Sequence, residues 1–180
     1  MRSSIIGLSV VLFAVAAATC FASSRQKTQN KLSPPQEATI KLNGHTITIE
    51  YNAPSARGRK VEGGLVPYGR VWRAGADAAT TLSSDTDLTI GNLKVPKGEH
   101  TLYVLASPNG WQLIVNKQTG QWGTEYNEAQ DLGRVPMQVT QLSSPQEQFK
   151  IDLKPAESNS AMLVMSWGNT QASVPVRLAR

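Results

Sequence analysis

The chain predicts an all-β fold, an antiparallel β-sandwich of about ten short strands packed as two sheets in a jelly-roll or immunoglobulin-like manner. Three observations predict it. Apolar residues recur at every second position in several segments, the period of a strand with one buried face. Gly, Pro and Asn clusters separate those segments at short intervals. Only residues 125–133 have the pattern of a helical turn, and no internal repeat is present. At 180 residues, 40% hydrophobic and 17% charged, the chain suits one domain with a real core and is too apolar for disorder. A single Cys excludes a disulfide scaffold.

In chain order, the first segment reads as an address. Arg2 supplies a positive start, residues 5–18 form an apolar run broken by Gly7 and Ser9, and residues 16–22 are a small-residue tail. This predicts a secretory signal over residues 1–22, cleaved after Ala22, and the run is shorter than the ~20 residues that span a bilayer. No later stretch reaches that length without charges, so no transmembrane helix is expected, and the predicted location is periplasmic or extracellular. Cys20 admits a second reading as a lipidated N-terminus, although Ala17-Ala18-Thr19 lacks the Leu such signals place before the Cys. Cleavage after Ala22 leaves no cysteine, which excludes thiol catalysis and thiolate metal sites. Residues 23–36 are polar, end in Pro34-Pro35 and read as a disordered linker before a single domain over residues 37–180. The formal charge of +5 is mild and asks for no nucleic-acid partner.

Within the domain, Ile40 and Leu42 precede Asn43-Gly44, and Ile47, Ile49 and Tyr51 follow. Asn-Gly favours a type I′ turn that sets Leu42 opposite His45 and Ile40 opposite Ile47, with the apolar residues on one face. Residues 101–106 and 111–115 form a second hairpin around Ser107-Pro108-Asn109-Gly110, with Trp111 in the core. Residues 71–74, 79–82, 87–90 and 137–142 are further short strands. Phe149, Ile151 and Leu153 alternate with polar residues. Residues 161–167 are apolar on both faces, the mark of a central strand, and Gly168-Asn169 joins them to residues 172–178. Pro175 cannot donate to a ladder, which predicts an edge position for that last strand.

His45 and His100 are the only histidines. Two histidines without thiolates do not complete a zinc site, and both read as rim residues satisfied by water or backbone. No metal or other cofactor is expected. No Gly-x-Ser-x-Gly elbow and no Walker spacing occur. Asp85 and Asp87 fit a solvated turn better than a calcium loop. Glu62, Asp77, Glu125 and Asp131 are the carboxylates from which a glycosidic acid–base pair would have to be assembled, a matter of distance that spacing does not reveal.

One block carries most of the functional signal. Residues 57–77 contain five basic residues, and four glycines besides Gly75. Arg59 and Arg73 are suited to forked, charge-assisted bonds with a carboxylate or phosphate, each about 1.5–3 kcal/mol net. Tyr68 and Trp72 are suited to stacking on a ring. The plainer reading has Arg73 paired with Asp77 or Asp131, Trp72 in the core and the glycines in turns. Trp122, off any strand in Gln121-Trp122-Gly123, is the tryptophan expected at the surface.

The run from Gly58-Arg59-Lys60 through Gly63-Gly64-Leu65-Val66-Pro67-Tyr68-Gly69 and Trp72-Arg73-Ala74-Gly75-Ala76-Asp77 to Thr80 resembles the signature of a bacterial secreted family catalogued as domain of unknown function 2911 (DUF2911). Val95-Pro96-Lys97-Gly98, Trp111, Asn116, Gln121-Trp122-Gly123, Tyr126, Asp131 with Arg134, and Trp167 continue the likeness in order, over roughly residues 36–178. The resemblance implies an exported β-rich domain and brings no activity, cofactor or catalytic residue with it. Asp77 stands where the family usually has Asn, and His100 where it usually has an aromatic.

The sequence thus points first to a non-catalytic module binding a small anionic or saccharide-like ligand through Arg59, Tyr68, Trp72, Arg73, Asp77, Trp122, Asp131 and Arg134. An envelope-polymer hydrolase using Asp77, Glu125 or Asp131 and a purely structural domain are the alternatives. Nothing in the sequence specifies an oligomeric state.

Overall fold

The computed structural model describes residues 32–157 and 159–179, and these are almost entirely strand. In chain order the strands are β1 (Pro35–Leu42), β2 (His45–Asn52), β3 (Val71–Trp72), β4 (Thr80–Ser84), β5 (Leu88–Ile90), β6 (Leu93–Val95), β7 (Gly98–Ser107), β8 (Gly110–Asn116), β9 (Asp131–Ala156) and β10 (Ser160–Leu178). They form one antiparallel sheet in the order β1-β2-β4-β7-β8-β9-β10-β5-β6, with β3 laid against β7. The predicted signal lies outside the described residues, and β1 begins at Pro35, inside the stretch read as linker.

Both expected hairpins form, the first in the expected register. Asn43 and Gly44 take φ of 49° and 86°, Leu42 faces His45, and Ile40 faces Ile47. Ser107 faces Gly110 across Pro108-Asn109. The apolar alternation then points inward. Ile47, Ile49, Leu82, Leu102 and Leu113 from the first half of the sheet meet Leu88, Ile90, Ile151, Leu163 and Met165 from the second in one buried cluster. Each such side chain contributes about 1.5–3 kcal/mol by leaving water. Trp111 joins this core as expected.

Three local readings are corrected. Residues 160–178 are one strand, not two joined by a turn. Gly168 has φ of 58° and the ladder shifts register there, so the backbone bulges and continues. Pro175 does not mark an edge strand, since β10 lies between β9 and β5 in the strand order, although residues 176–178 pair with β5 alone. Its missing N–H is harmless because pairing with β9 ends at Ser173 and pairing with β5 starts at Val176. The helical turn shrinks to a 3-10 turn at Glu128–Gln130, capped by the Asn127 side chain, because Asp131 already opens β9. Leu93–Val95 is a strand that three residues of pattern do not announce.

Candidate functional site

The long connection from β2 to β4 lines a cavity that gathers three arginines. It is first tied to β9: Ala56 N–H donates to the Glu147 carbonyl at 2.9 Å, and Phe149 N–H to the Pro54 carbonyl at 2.8 Å. Residues 57–66 then fold into a loop that docks on the β10 bulge. The Glu62 carboxylate accepts from Asn169 N–H at 3.0 Å, and a Cβ on Gly168 would sit 2.9 Å from Val61 Cβ and 2.8 Å from Glu62 Oε1. Only glycine permits both that contact and the positive φ.

Trp72 enters the core from β3, edge-on to Phe149 at 5.0 Å and stacked on Trp167 at 5.7 Å. The core reading of Trp72 is therefore the right one, yet the Trp72–Trp167 pair also lines a cavity of about 560 Å³. Arg57, Arg59, Arg73 and Asp77 line the same cavity, with Leu65 between them. Arg59 is exposed, and its Nε and Nη2 donate to the Ala56 and Ser55 carbonyls at 3.0 and 2.9 Å. Arg57 Nη2 donates to the Leu32 carbonyl at 3.1 Å. Arg73 Nε donates to the Gly75 carbonyl at 3.3 Å, and its stem packs so tightly on Gly123 that a Cβ there would lie 2.6 Å from Cδ. Among the described residues, none of these three guanidinium groups meets a carboxylate at ion-pair distance. Backbone carbonyls fix the direction of these groups, and the acidic residue Asp77 lines the cavity with them.

Asp131 and Arg134 belong to a different place. The Asp131 side chain, 11% exposed, accepts from Asn116 Nδ2 at 2.9 Å, from the Tyr126 hydroxyl at 2.6 Å and from Arg134 Nε and Nη2 at 3.2 and 3.1 Å. Arg134 also bonds Tyr126 and Glu128. Burial and then the neighbouring Asp131 carboxylate push the Tyr126 phenol up to about 12. Asp131, saturated in this way, is poorly suited to acid–base work. Its ion pair is the internal match once weighed for Arg73.

Tyr68 and Trp122 are exposed, at 41% and 51%, but neither lines the arginine cavity. Tyr68 lies against Gly63, and Trp122 is held by a backbone bridge to Ala78. Glu125 is exposed and offers its carbonyl to the Tyr103 hydroxyl. No group of three potential metal ligands exists among the described residues. His45 sits at the rim, but its Nδ1 partner is the Asp85 carboxylate at 3.0 Å rather than water or backbone. His100 does not: it is 7% exposed on the core face of β7, with Leu102 and Val104, and its Nδ1 has no hydrogen-bond partner among the described residues. Burial holds its pKa below the ordinary 6.5.

The sequence reading missed Arg57 and Trp167 as cavity residues. Arg57 lay in the basic block in plain view. Trp167 is brought to Trp72 only by the packing of β10. A family model described as protein of unknown function (DUF2911) matches residues 33–176, and the chain belongs to that family. No curated protein and no solved structure matches it significantly.

Proposed function

We propose that this DUF2911 member is an exported, non-catalytic binding module that takes a small anionic or saccharide-like ligand in the cavity lined by Arg57, Arg59 and Arg73. One observation carries the reading: three guanidinium groups, aimed by backbone carbonyls and without ion-pair partners among the described residues, line one cavity with Asp77 and the largely buried Trp72–Trp167 pair. Arginine forks bind carboxylate or phosphate, and the indole surface favours a ring beside the charge. Export rests on the charged, apolar and small-residue order of residues 1–22.

The test is a thermal-shift and tryptophan-fluorescence screen of carboxylates, phosphates and acidic glycans. The double variant Arg59→Ala/Arg73→Met, which keeps the Arg73 stem, is expected to fold and to lose about 100-fold or more in affinity for any hit. A hit that binds the double variant as tightly as the parent, or a screen with no hit, overturns the reading.

A further inference from the structure

The two ends of the sheet differ. β6 is three residues long, carries Lys94 and runs into Pro96, so it presents almost no edge. β1 is an eight-residue end strand paired only with β2. The two-residue turn makes Leu42 and His45 a hydrogen-bonded pair, and alternation then directs the main-chain groups of Leu42, Ile40, Ala38 and Gln36 to β2. The bond from Ala53 N–H to the Pro34 carbonyl, 2.9 Å, keeps the same phase. Glu37, Thr39 and Lys41 therefore turn their N–H and C=O groups away from the sheet. Among the described residues no backbone bond takes them up. β9 shares no ladder with β1: Glu37 and Thr39 line an open groove with residues 146–153 of β9, and that stretch is tied to the hairpin through Tyr51, whose hydroxyl accepts from Ile151 N–H at 3.0 Å.

The side chains of Glu37, Thr39 and Lys41 are all exposed. Glu37 stands directly opposite Glu50, a like-charge arrangement that destabilises a sheet. Among the described residues no Lys or Arg forms an ion pair with either.

We propose that β1 pairs antiparallel with β1 of a second copy of this chain, about a two-fold axis at Thr39. In that register Glu37 opposes Lys41 of the second copy, Lys41 opposes its Glu37, and Thr39 opposes Thr39. Each is a pair of outward-turned residues, so both main-chain bonds form at every one of them. The second copy's Lys41 brings to Glu37 the cation that Glu37 and Glu50 lack within one chain. Other centres do worse: an axis at Glu37 or Lys41 sets like charges together, and one at Ala38 or Ile40 leaves both charges unmatched. Pro35, with no N–H to offer, bounds the paired stretch at one end.

Light scattering on the purified protein is expected to give a dimer mass. Thr39→Pro deletes an outward N–H together with the hydroxyl's contacts to Glu37 and Thr48 but no main-chain bond to β2, so the hairpin is retained and the dimer weakens about tenfold or more. Glu37→Lys and Lys41→Glu are each expected to weaken it, and the double exchange to restore it, with unchanged circular dichroism throughout. A monomeric parent at about 100 μM, a Thr39→Pro dimer of parental affinity, or a double exchange that fails to recover overturns the proposal. The ligand-binding reading is independent of all three.

Discussion

Arg134 and Arg59 are the same residue in two opposite settings. Arg134 is three positions from Asp131 on the start of β9 and closes a network with Asp131, Tyr126 and Glu128. Its charge is answered inside the molecule, and that corner serves as a clasp holding the 3-10 turn to the sheet. Arg59 lies on a loop whose only acid, Glu62, is turned away to Asn169 on β10. What remains for Arg59 are carbonyls, which orient a guanidinium but leave it charged. A matched charge is architecture. An oriented one with no carboxylate at ion-pair distance among the described residues is what the proposed ligand site rests on.

This contrast can be broken or sharpened by substitution. The largest expected effect is at the aromatic pair: Trp72→Ala removes a core side chain stacked on Trp167 and is expected to cost about 3–5 kcal/mol in denaturant unfolding. A loss below 1 kcal/mol would mean the indole contributes little to the core. Asp131→Ala leaves Arg134, Tyr126 and Asn116 without their common acceptor and is expected to cost about 2–3 kcal/mol. Parental stability there would reduce the clasp to decoration. Gly123→Ala forces a Cβ to 2.8 Å from the Asp77 carbonyl and 2.6 Å from Arg73, with an expected loss of about 1–2 kcal/mol as the two loops part. Arg59→Ala is expected to change stability by no more than about 0.5 kcal/mol. A larger drop would move Arg59 to the side of Arg134.

The subtlest case is His100, a polar group neither matched nor open. Its folded pKa lies below 6.5 because burial disfavours the cation. Above pH 6.5 both folded and unfolded chains are neutral there and nothing is lost. As pH falls through 6.5 the unfolded chain gains a proton that the folded chain resists, so stability declines until the folded pKa is passed. Urea midpoints at pH 7.5 and 5 are expected to diverge more for the parent than for His100→Phe. Equal divergence would show that His100 has no part in the acid response.

The hairpins were legible because Asn43-Gly44 specifies both turn and register locally, and alternation tells which face is wet. Trp111 was assigned correctly for the same reason. The continuity of β10 was hidden, since a glycine at positive φ marks a reversal or a bulge equally well. What decides it is Glu62 and Val61 packing against Gly168 from more than a hundred residues away. Arg59, Trp72 and Arg73 were visible as one dense block and do share a cavity. Tyr68 and Trp122 were grouped with them by residue type, but exposure alone does not aim a ring at a cavity.

By itself the sequence determined the strand class, the phase of burial along each strand, the two tight turns and the block of arginines. All of these are set by neighbours within a few positions. The tertiary structure alone decided which charges are answered: Asp131 for Arg134, Asn169 for Glu62, and no carboxylate among the described residues for Arg59. Charge compensation depends on distance through space: Asp131 meets Arg134 from three positions away, but Glu62 is drawn off by a strand more than a hundred residues on, which spacing does not announce.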